Sequence, residues 1–220
     1  MTKIRLNRDF YETDATTLSI NLIGKTLVHK SPYGEVRGII TETEGYLGEI
    51  DKASHAYKGK RTPRTEPMFH EGGTSYVYLI YGIYSCMNIV ANSKNIAMAS
   101  LLRMVEPADE SSGEIMIRLR MEEERNRWEK KGKKETLEET KRREAKQLLH
   151  IKKHLADGPG KLCIAMGITK EDNFIDMAYS DDLYLTEGIE VEPGRISHGK
   201  RIGIDYAEEA ADYLWRYTLI

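Results

Sequence analysis

The sequence predicts a single domain of the α+β class, in which helices and β-strands are mixed. The chain has 220 residues, which is enough for one sizeable hydrophobic core and short for two. Several short segments rich in β-branched and aromatic residues predict strands. One long segment, residues 118–153, is rich in charge and poor in apolar residues, which predicts solvated helices.

The first element is a helix predicted at residues 15–23. Asp14 is a residue type that caps helix N-termini, because its carboxylate can accept hydrogen bonds from the free amides of the first turn. Leu18 and Leu22 are spaced to share one face, and Gly24 follows as a stop signal.

The next segments predict two strands joined by a turn. Residues 26–29 and 36–47 are rich in β-branched side chains, and the Ser-Pro-Tyr-Gly run at 31–34 is typical of a turn. We expect Asp51 to begin a short helix that contains His55.

A tyrosine-rich segment at residues 74–90 predicts a β-hairpin, because it is almost free of charge and has Gly82 near its middle. Strand alternation places Tyr76 and Tyr78 on one face and leaves Tyr81 near the tip. A large exposed side chain at a tip needs a partner. Tyr81 could be a wedge that is inserted between base pairs, or it could pack in a hydrophobic core or in a dimer interface.

The remaining elements are a strand at residues 97–105 and a helical pair within 118–153 that Gly132 divides. Lysine and arginine outnumber the acids in this pair. It is either a solvated surface or a surface for a phosphate backbone. Short strands are predicted at residues 182–186 and 201–204.

Candidate chemistry begins with Glu42, Glu44 and Tyr46, which share one face of the long strand. They are either part of a solvent face or a functional pair of acids, since carboxylates among apolar neighbours are costly. Cys86 and Cys163 form no C-x-x-C pair, so we expect buried thiols rather than a disulfide or metal site.

Two further patterns are weak. His150 and His154 are spaced for one helix face, but without a third ligand we expect surface histidines and no metal. The Gly-Pro-Gly-Lys run at 158–161 is not a nucleotide-binding loop, because Leu162 replaces the required Ser or Thr; it could still offer amides to a phosphate. We expect no nucleotide or other cofactor.

Several motifs occur in a fixed order along most of the chain. They are T-E-T-E-G-Y-L-G from Thr41, D-K-A-S-H from Asp51, T-P-R from Thr62, M-F from Met68, Y-V-Y-L-I-Y-G-I-Y from Tyr76, C-M-N from Cys86, L-L-R from Leu101, G-P-G-K-L-C from Gly158 and R-I-G-I from Arg201. In residues and order they resemble the alkyladenine (3-methyladenine) DNA glycosylases of the mammalian type.

The resemblance implies one domain over residues 1–220, with a curved, open-barrel-like antiparallel sheet, surrounding helices and a protruding tyrosine-rich hairpin. The charged segment would be a helical insertion at about 113–157. The sequence departs from the family at Gly45, where alanine is usual, and at residues 210–217, which lack the Trp and Pro-Leu-Arg-Phe pattern of close relatives.

The resemblance also implies an activity. The protein would be a monofunctional glycosylase that flips alkylated or deaminated purines out of duplex DNA and hydrolyses the N-glycosidic bond, which starts base excision repair. Glu44 would be the general base, Arg103 would position the base or the water, and Tyr81 would fill the gap left by the flipped nucleotide.

Further residues have implied binding roles. Tyr46, His55 and Tyr78 would enclose the flipped base, and Asn88 would crowd the exocyclic amino group of normal guanine. The expected contacts to backbone phosphates are Lys60, Arg61, Arg64 and Lys161.

Composition bears on the partners. The formal net charge of -2 argues mildly against nucleic acid, although basic residues cluster locally. No apolar run reaches membrane-spanning length and residues 1–10 show no secretory signal, so we expect no membrane partner. We expect a monomer acting on double-stranded DNA with damaged purines, in the cytoplasm (nucleoid) of a prokaryote or the nucleus of a eukaryote. The alternatives are a non-catalytic damaged-DNA-binding protein and a small-molecule hydrolase or transferase on a related scaffold.

Overall fold

The computed structural model describes residues 4–80, 82–132 and 135–220. In these ranges the α-helices are α1 (Ala15–Leu22), α2 (Glu110–Lys130), α3 (Leu137–Lys153) and α4 (Pro159–Met166). The strands are β1 (Thr26–Ser31), β2 (Gly34–Tyr46), β3 (Ser75–Ile80), β4 (Tyr84–Ala91), β5 (Met98–Pro107), β6 (Leu183–Thr186), β7 (Ile196–Gly199) and β8 (Arg216–Leu219). The predicted α+β class is confirmed.

All eight strands join one antiparallel sheet, which curls into a half-barrel. Its main order is β3-β4-β5-β2-β1-β6, and β8 pairs with both β2 and β7. The long strand β2 is central, because β5 lies along one edge while β1 and then β8 share the other. The part of β2 that pairs with β8 runs from Glu42 to Glu44, so these acids are flanked by strands on both sides.

An irregularity in the β2–β5 ladder aims one side chain at the acids. The register passes from Ile40 paired with Val105 to Glu42 paired with Met104, and then to Thr43 paired with Leu102. Arg103 therefore lies opposite the irregular part of β2. Bulges of this kind bend a strand and redirect side chains, and they are common beside active sites.

The predicted tyrosine-rich segment forms two strands that pair as an antiparallel hairpin. Tyr76 pairs with Asn88, Tyr78 with Cys86, and Ile80 with Tyr84. Because these are alternate positions along both strands, their side chains occupy one face of the hairpin.

Helices α1 and α3 begin with side-chain caps of residue types that are visible in the sequence. The Asp14 carboxylate accepts hydrogen bonds from the amides of Thr16 and Thr17, at 2.9 and 3.1 Å. In α3, Thr136 and Glu139 form a reciprocal capping box. Helices α1 and α4 pack their apolar faces against the sheet, and their buried side chains belong to the main core.

Gly45 has a packing explanation. A Cβ atom added there would lie 3.1 Å from the carbonyl oxygen of Ala15 and 3.2 Å from the Cα of Thr16. The end of β2 thus approaches the backbone of α1 closely, and glycine allows this approach without a shift of the helix.

Two predicted elements are wrong. No helix contains His55, because the Asp51 carboxylate accepts hydrogen bonds from the amides of Leu47 and Ala53 and holds the chain in turns. Residues 201–204 form no strand, because the amide of Ile202 donates to a side chain rather than to a neighbouring strand.

The first charged helix begins at Glu110, earlier than predicted. Helix α4 and strands β7 and β8 were not predicted. Among the described helices, none is both long enough and apolar enough to cross a membrane.

Candidate active site

Glu44 is fully buried in the centre of the curled sheet. Its Oε1 atom accepts a hydrogen bond from the amide of Ile202 at 2.9 Å and lies 3.2 Å from Nη1 of Arg103. Its Oε2 atom accepts a hydrogen bond from the Tyr46 hydroxyl at 2.8 Å. Every contact therefore comes from a donor, which is the environment that a buried carboxylate requires.

Opposing effects act on this carboxyl group. Burial raises the pKa of Glu44 above its usual value, while the charge of Arg103 and the hydrogen bonds from Ile202 and Tyr46 offset part of the rise. An acid in such surroundings can be tuned for proton transfer.

The second acid, Glu42, completes a buried cluster around Arg103. The Nε atom of Arg103 donates to Oε1 of Glu42 at 2.5 Å, and Arg216 from β8 lies 3.7 Å from the other oxygen. Glu42 is 6% exposed and Glu44 is fully buried, so the interpretation of this strand as a solvent face is wrong. Arg103 joins the two acids and fixes their relative positions.

A second buried ion pair, between Arg201 and Asp51, lies against Tyr46. Arg201 donates two hydrogen bonds to Asp51, at 2.5 and 2.9 Å, and one to the carbonyl of Gly45. Its guanidinium carbon also lies 4.6 Å from the centre of the Tyr46 ring and 4.9 Å from that of Trp215. Arg201 therefore orients Tyr46, while its neighbour Ile202 contacts Glu44.

A cavity of about 490 Å³ opens beside the cluster. Tyr46 and Arg103, the two side chains that contact Glu44, line it, whereas Glu44 itself lies behind them. The other predicted substrate-binding residues, His55, Tyr78 and Asn88, line it as well. The structure thus brings together residues from five separate sequence motifs.

The aromatic side chains that line this cavity pack against one another. The rings of His55 and Tyr78 lie 4.8 Å apart, and those of Tyr76 and Tyr78 lie 5.1 Å apart. A hydrogen bond of 2.9 Å joins Nδ1 of His55 to the Tyr76 hydroxyl. Tyr76 was not predicted as a site residue, although strand alternation had already placed it on the same face as Tyr78.

The aromatic side chains of the cavity are uncharged at neutral pH, and the charged Arg64 also lines it, with its guanidinium carbon 4.8 Å from the centre of the Tyr78 ring. Burial, with the nearby charges of Arg64 and Lys60, lowers the pKa of His55 to about 4. Burial raises the pKa of Tyr76 to about 12 and that of Tyr78 further. A planar ligand would meet neutral aromatic groups on this side and the Arg103 cluster at the other.

Asn88 is almost fully buried, and its side-chain amide donates to the carbonyl of Tyr76 at 3.1 Å. Because Asn88 and Tyr76 are cross-strand partners, this bond fixes the amide in the cavity wall.

The predicted phosphate contacts do not all lie together. Lys60 and Arg64 line a shallow basic depression that shares His55 with the aromatic cavity. Arg61 instead forms a two-point ion pair with Glu66, and Lys161 donates to Asp157 at 2.7 Å.

The predicted wedge, Tyr81, lies outside the described residues. Its flanking residues are described: Ile80 lines the aromatic cavity, and Ile83 is exposed. Gly82 has a φ angle of +69°, a left-handed conformation that suits a tight turn.

The weaker sequence candidates have structural explanations. Cys86 and Cys163 are both buried, as predicted, and burial raises the pKa of both thiols. His154 bonds to Asp157 at 2.6 Å and packs against His150. Within the described ranges, no cluster of three or more His, Cys, Asp or Glu residues could hold a metal ion.

Sequence reasoning missed the supporting residues Asp51, Arg201, Ile202 and Arg216. Asp51 and Arg201 each begin a recognised motif, which was the available signal. Their contacts join positions about 150 residues apart, so no local pattern showed that they meet.

The fold thus places a buried cluster of two carboxylates and an arginine beside a cavity lined by aromatic rings, an arrangement of the kind found in enzyme active sites. A model of the methylpurine-DNA glycosylase family matches residues 9–220. The chain belongs to this family of DNA repair enzymes, which hydrolyse the N-glycosidic bond.

Clostridial proteins are among its relatives, and three of them carry the name "Putative 3-methyladenine DNA glycosylase". One from Clostridium perfringens strain SM101 is 42% identical over 217 residues, covering 98% of this chain and 96% of the relative. One from Clostridium beijerinckii is 42% identical, covering 97% and 95%. One from Clostridium botulinum strain Hall is 40% identical, covering 98% and 96%.

Proposed function

We propose that this glycosylase flips alkylated or deaminated purines out of duplex DNA and hydrolyses their N-glycosidic bonds, which starts base excision repair. The lesions in this class are 3-methyladenine, 7-methylguanine, hypoxanthine and ethenoadenine. The observation that carries the proposal is the buried Glu44 carboxylate, which contacts three residues of the aromatic cavity, Tyr46, Arg103 and Ile202. We further propose that the protein acts as a monomer, and in the bacterial nucleoid, because the relatives are bacterial.

Glu44 is the proposed general base for the attacking water. Its Oε2 atom accepts one hydrogen bond from the described residues, from Tyr46, and a carboxylate oxygen can accept a second. The water would attack the sugar carbon as positive charge develops on the sugar, and the carboxylate would stabilise that charge. Arg103 keeps both buried acids in place and provides hydrogen-bond donors at the cavity floor.

The aromatic walls suit a positively charged base. Alkylation at N3 or N7 makes a purine cationic, and contact with a tyrosine face contributes roughly 0.5–2 kcal/mol. Tyr46, His55 and Tyr78 are the proposed enclosing residues. His55 supports this role because its low pKa keeps it neutral, so it does not repel a cation.

Asn88 is proposed to reject normal guanine. Its side chain is fixed in the cavity wall by the bond to Tyr76, so it cannot easily move away from an exocyclic amino group. A steric or polar mismatch against the wrong base raises selectivity without tighter binding of the right one.

Tyr81 is the proposed wedge, since in the sequence it lies between two paired strands that contribute Tyr78, Ile80 and Asn88 to the cavity. Lys60 and Arg64 are proposed to contact the phosphates beside the flipped nucleotide. Arg61 and Lys161 remain proposed phosphate contacts that would first leave their acidic partners.

The proposed reaction is monofunctional. No lysine is found among the described residues that line the aromatic cavity, so these residues offer no amine for a covalent attack on the sugar. The product would be an abasic site in an uncut strand.

The test uses duplex oligonucleotides that carry hypoxanthine or 7-methylguanine. After incubation with the protein, alkali cleaves any abasic sites, and we expect a cut product only after alkali treatment. Tight lesion binding without a cut product would favour a non-catalytic damaged-DNA-binding protein. Tyr81→Ser should lose base flipping far more than stability, and unfolding of this variant would instead place Tyr81 in the core.

A further inference from the structure

The helical insertion touches the hairpin at the position next to its tip. Tyr84 is the first residue of β4 and pairs with Ile80, the last residue of β3. The guanidinium carbon of Arg127, on α2, lies 4.7 Å from the centre of the Tyr84 ring. Nη1 of Arg127 also donates to the Tyr84 hydroxyl at 3.2 Å. One arginine thus combines a ring contact with a hydrogen bond to the same side chain.

Both partners of this contact are held by other groups. Nε of Arg127 donates to Glu123 at 2.8 Å, which fixes the arginine on its own helix. On the hairpin side, Tyr84 packs against the first turn of α4, where a Cβ atom added to Gly160 would lie 3.2 Å from it. Tyr84 is therefore held by two helices at once.

The contact between Arg127 and Tyr84 borders a cavity rather than a packed core. A second cavity of about 490 Å³ lies between the hairpin and helices α2, α3 and α4, and both Tyr84 and Arg127 line it. Ile83 is 65% exposed, and a Cβ atom added to Gly82 would meet no atom within 4 Å. Among the described strands, β5 pairs with β4 only from Asn88 to Ala91, so the end of the hairpin at Tyr84 extends past this pairing and depends on other contacts.

We infer that Arg127 braces the hairpin through Tyr84 and thereby sets the position of the tip for base extrusion. This role rests on the proposed function, in which the tip enters the gap left by the flipped nucleotide. Arg127 is a positioning residue, since it acts through Tyr84 rather than on the substrate. Helix α2 then contributes to recognition of the lesion by positioning the hairpin.

The experiment compares Arg127→Gln with Arg125→Gln in the full-length protein. Arg125 lies on the same helix but pairs with Glu144 of α3, so it is a matched control for the loss of a guanidinium. The duplex carries hypoxanthine beside 2-aminopurine, whose fluorescence reports extrusion of the lesion. Single-turnover excision and thermal unfolding are measured on the same samples.

We expect Arg127→Gln to lower the fluorescence change and the excision rate together, with the rate falling by about tenfold to hundredfold. Arg125→Gln should match the wild type in both, and both variants should unfold near the wild-type temperature. Wild-type behaviour of Arg127→Gln would overturn the inference. So would a slower excision step with normal extrusion, or an equal loss in the control.

A second pair of variants decides the question if Arg127→Gln does not fold. Tyr84→Phe keeps the ring contact and loses the hydrogen bond, whereas Tyr84→Leu loses both. We expect extrusion to fall in the order wild type, Tyr84→Phe, Tyr84→Leu, and no difference among the three would overturn the bracing role. If the wild type releases no base at all, the proposed function fails; wild-type excision that the variants leave unchanged refutes only the bracing role.

Discussion

The central strands and the charged helices α2 and α3 both carry many charged residues, but they place them differently. On β2, Glu42 and Glu44 are buried, and both pair with Arg103 of β5, whose side chain is 11% exposed. On α2 and α3, a typical pair is Arg125 with Glu144, whose side chains are 53% and 29% exposed.

This difference shows that environment, rather than charge itself, separates a site from a solvated surface. Water weakens the attraction between exposed charges, and such pairs contribute about 0–1 kcal/mol. Buried charges interact strongly, and each needs a partner to offset the cost of desolvation. Burial in the sheet therefore raises the pKa of Glu44, whereas Glu144 of α3 forms an ion pair at the surface.

The largest expected effect is on catalysis. Glu44→Gln should lower single-turnover excision by about 10²–10⁴-fold, the usual contribution of a general base, while lesion binding is retained. Gel-based excision assays and fluorescence anisotropy measure the two quantities. Glu144→Gln in helix α3 is the matched control and should excise like the wild type. Unchanged turnover in Glu44→Gln would mean that another group activates the water.

The next effect is on stability. Asp51→Asn leaves the fully buried Arg201 side chain without its ion partner, so the free energy of unfolding should fall by about 3–5 kcal/mol. Glu144→Gln removes an acid from an exposed pair and should cost less than about 1 kcal/mol. Urea denaturation of both variants makes the comparison, and similar losses in the two would contradict it.

The pH dependence of excision should follow Glu44. A general base must be deprotonated, so the rate falls as the pH falls through its pKa, and burial moves that loss to a higher pH than for an ordinary glutamate. His55 has a pKa of about 4 and stays neutral across the range from about pH 5 to 8, so it adds no transition there. Single-turnover rates should therefore show one acidic limb, which His55→Gln leaves in place. Movement of the limb in that variant would assign it to His55.

The smallest expected effect is on the salt dependence of DNA binding. Lys60→Gln removes a cation beside the aromatic cavity and should reduce the slope of log affinity against log salt by about 0.9. Lys152→Gln removes an exposed cation from α3 and should leave the slope unchanged. A slope reduced equally in both variants would show that helix α3 also follows the phosphate backbone, and an unreduced slope for Lys60→Gln would contradict the prediction.

Local patterns predicted the elements that depend on local physics. The Asp14 cap, the long strand β2 and the two arms of the hairpin were predicted, because capping and strand alternation involve neighbouring residues. Residues 201–204 were predicted as a strand, but the amide of Ile202 is used by a carboxylate 158 residues away. The helix expected around His55 failed for a similar reason, since Asp51 binds nearby amides and the distant Arg201.

The sequence by itself determined the α+β class, the order of the motifs and the residue types of the site, because these follow from composition, periodicity and resemblance. Only the tertiary structure decided that Glu42 and Glu44 are buried rather than solvent-exposed, and that Arg103 joins them. It also decided that the Arg201 guanidinium packs against the Tyr46 ring. The physical reason is that burial and the approach of distant charges depend on how strands β5 and β8 enclose β2, and no single segment contains that information.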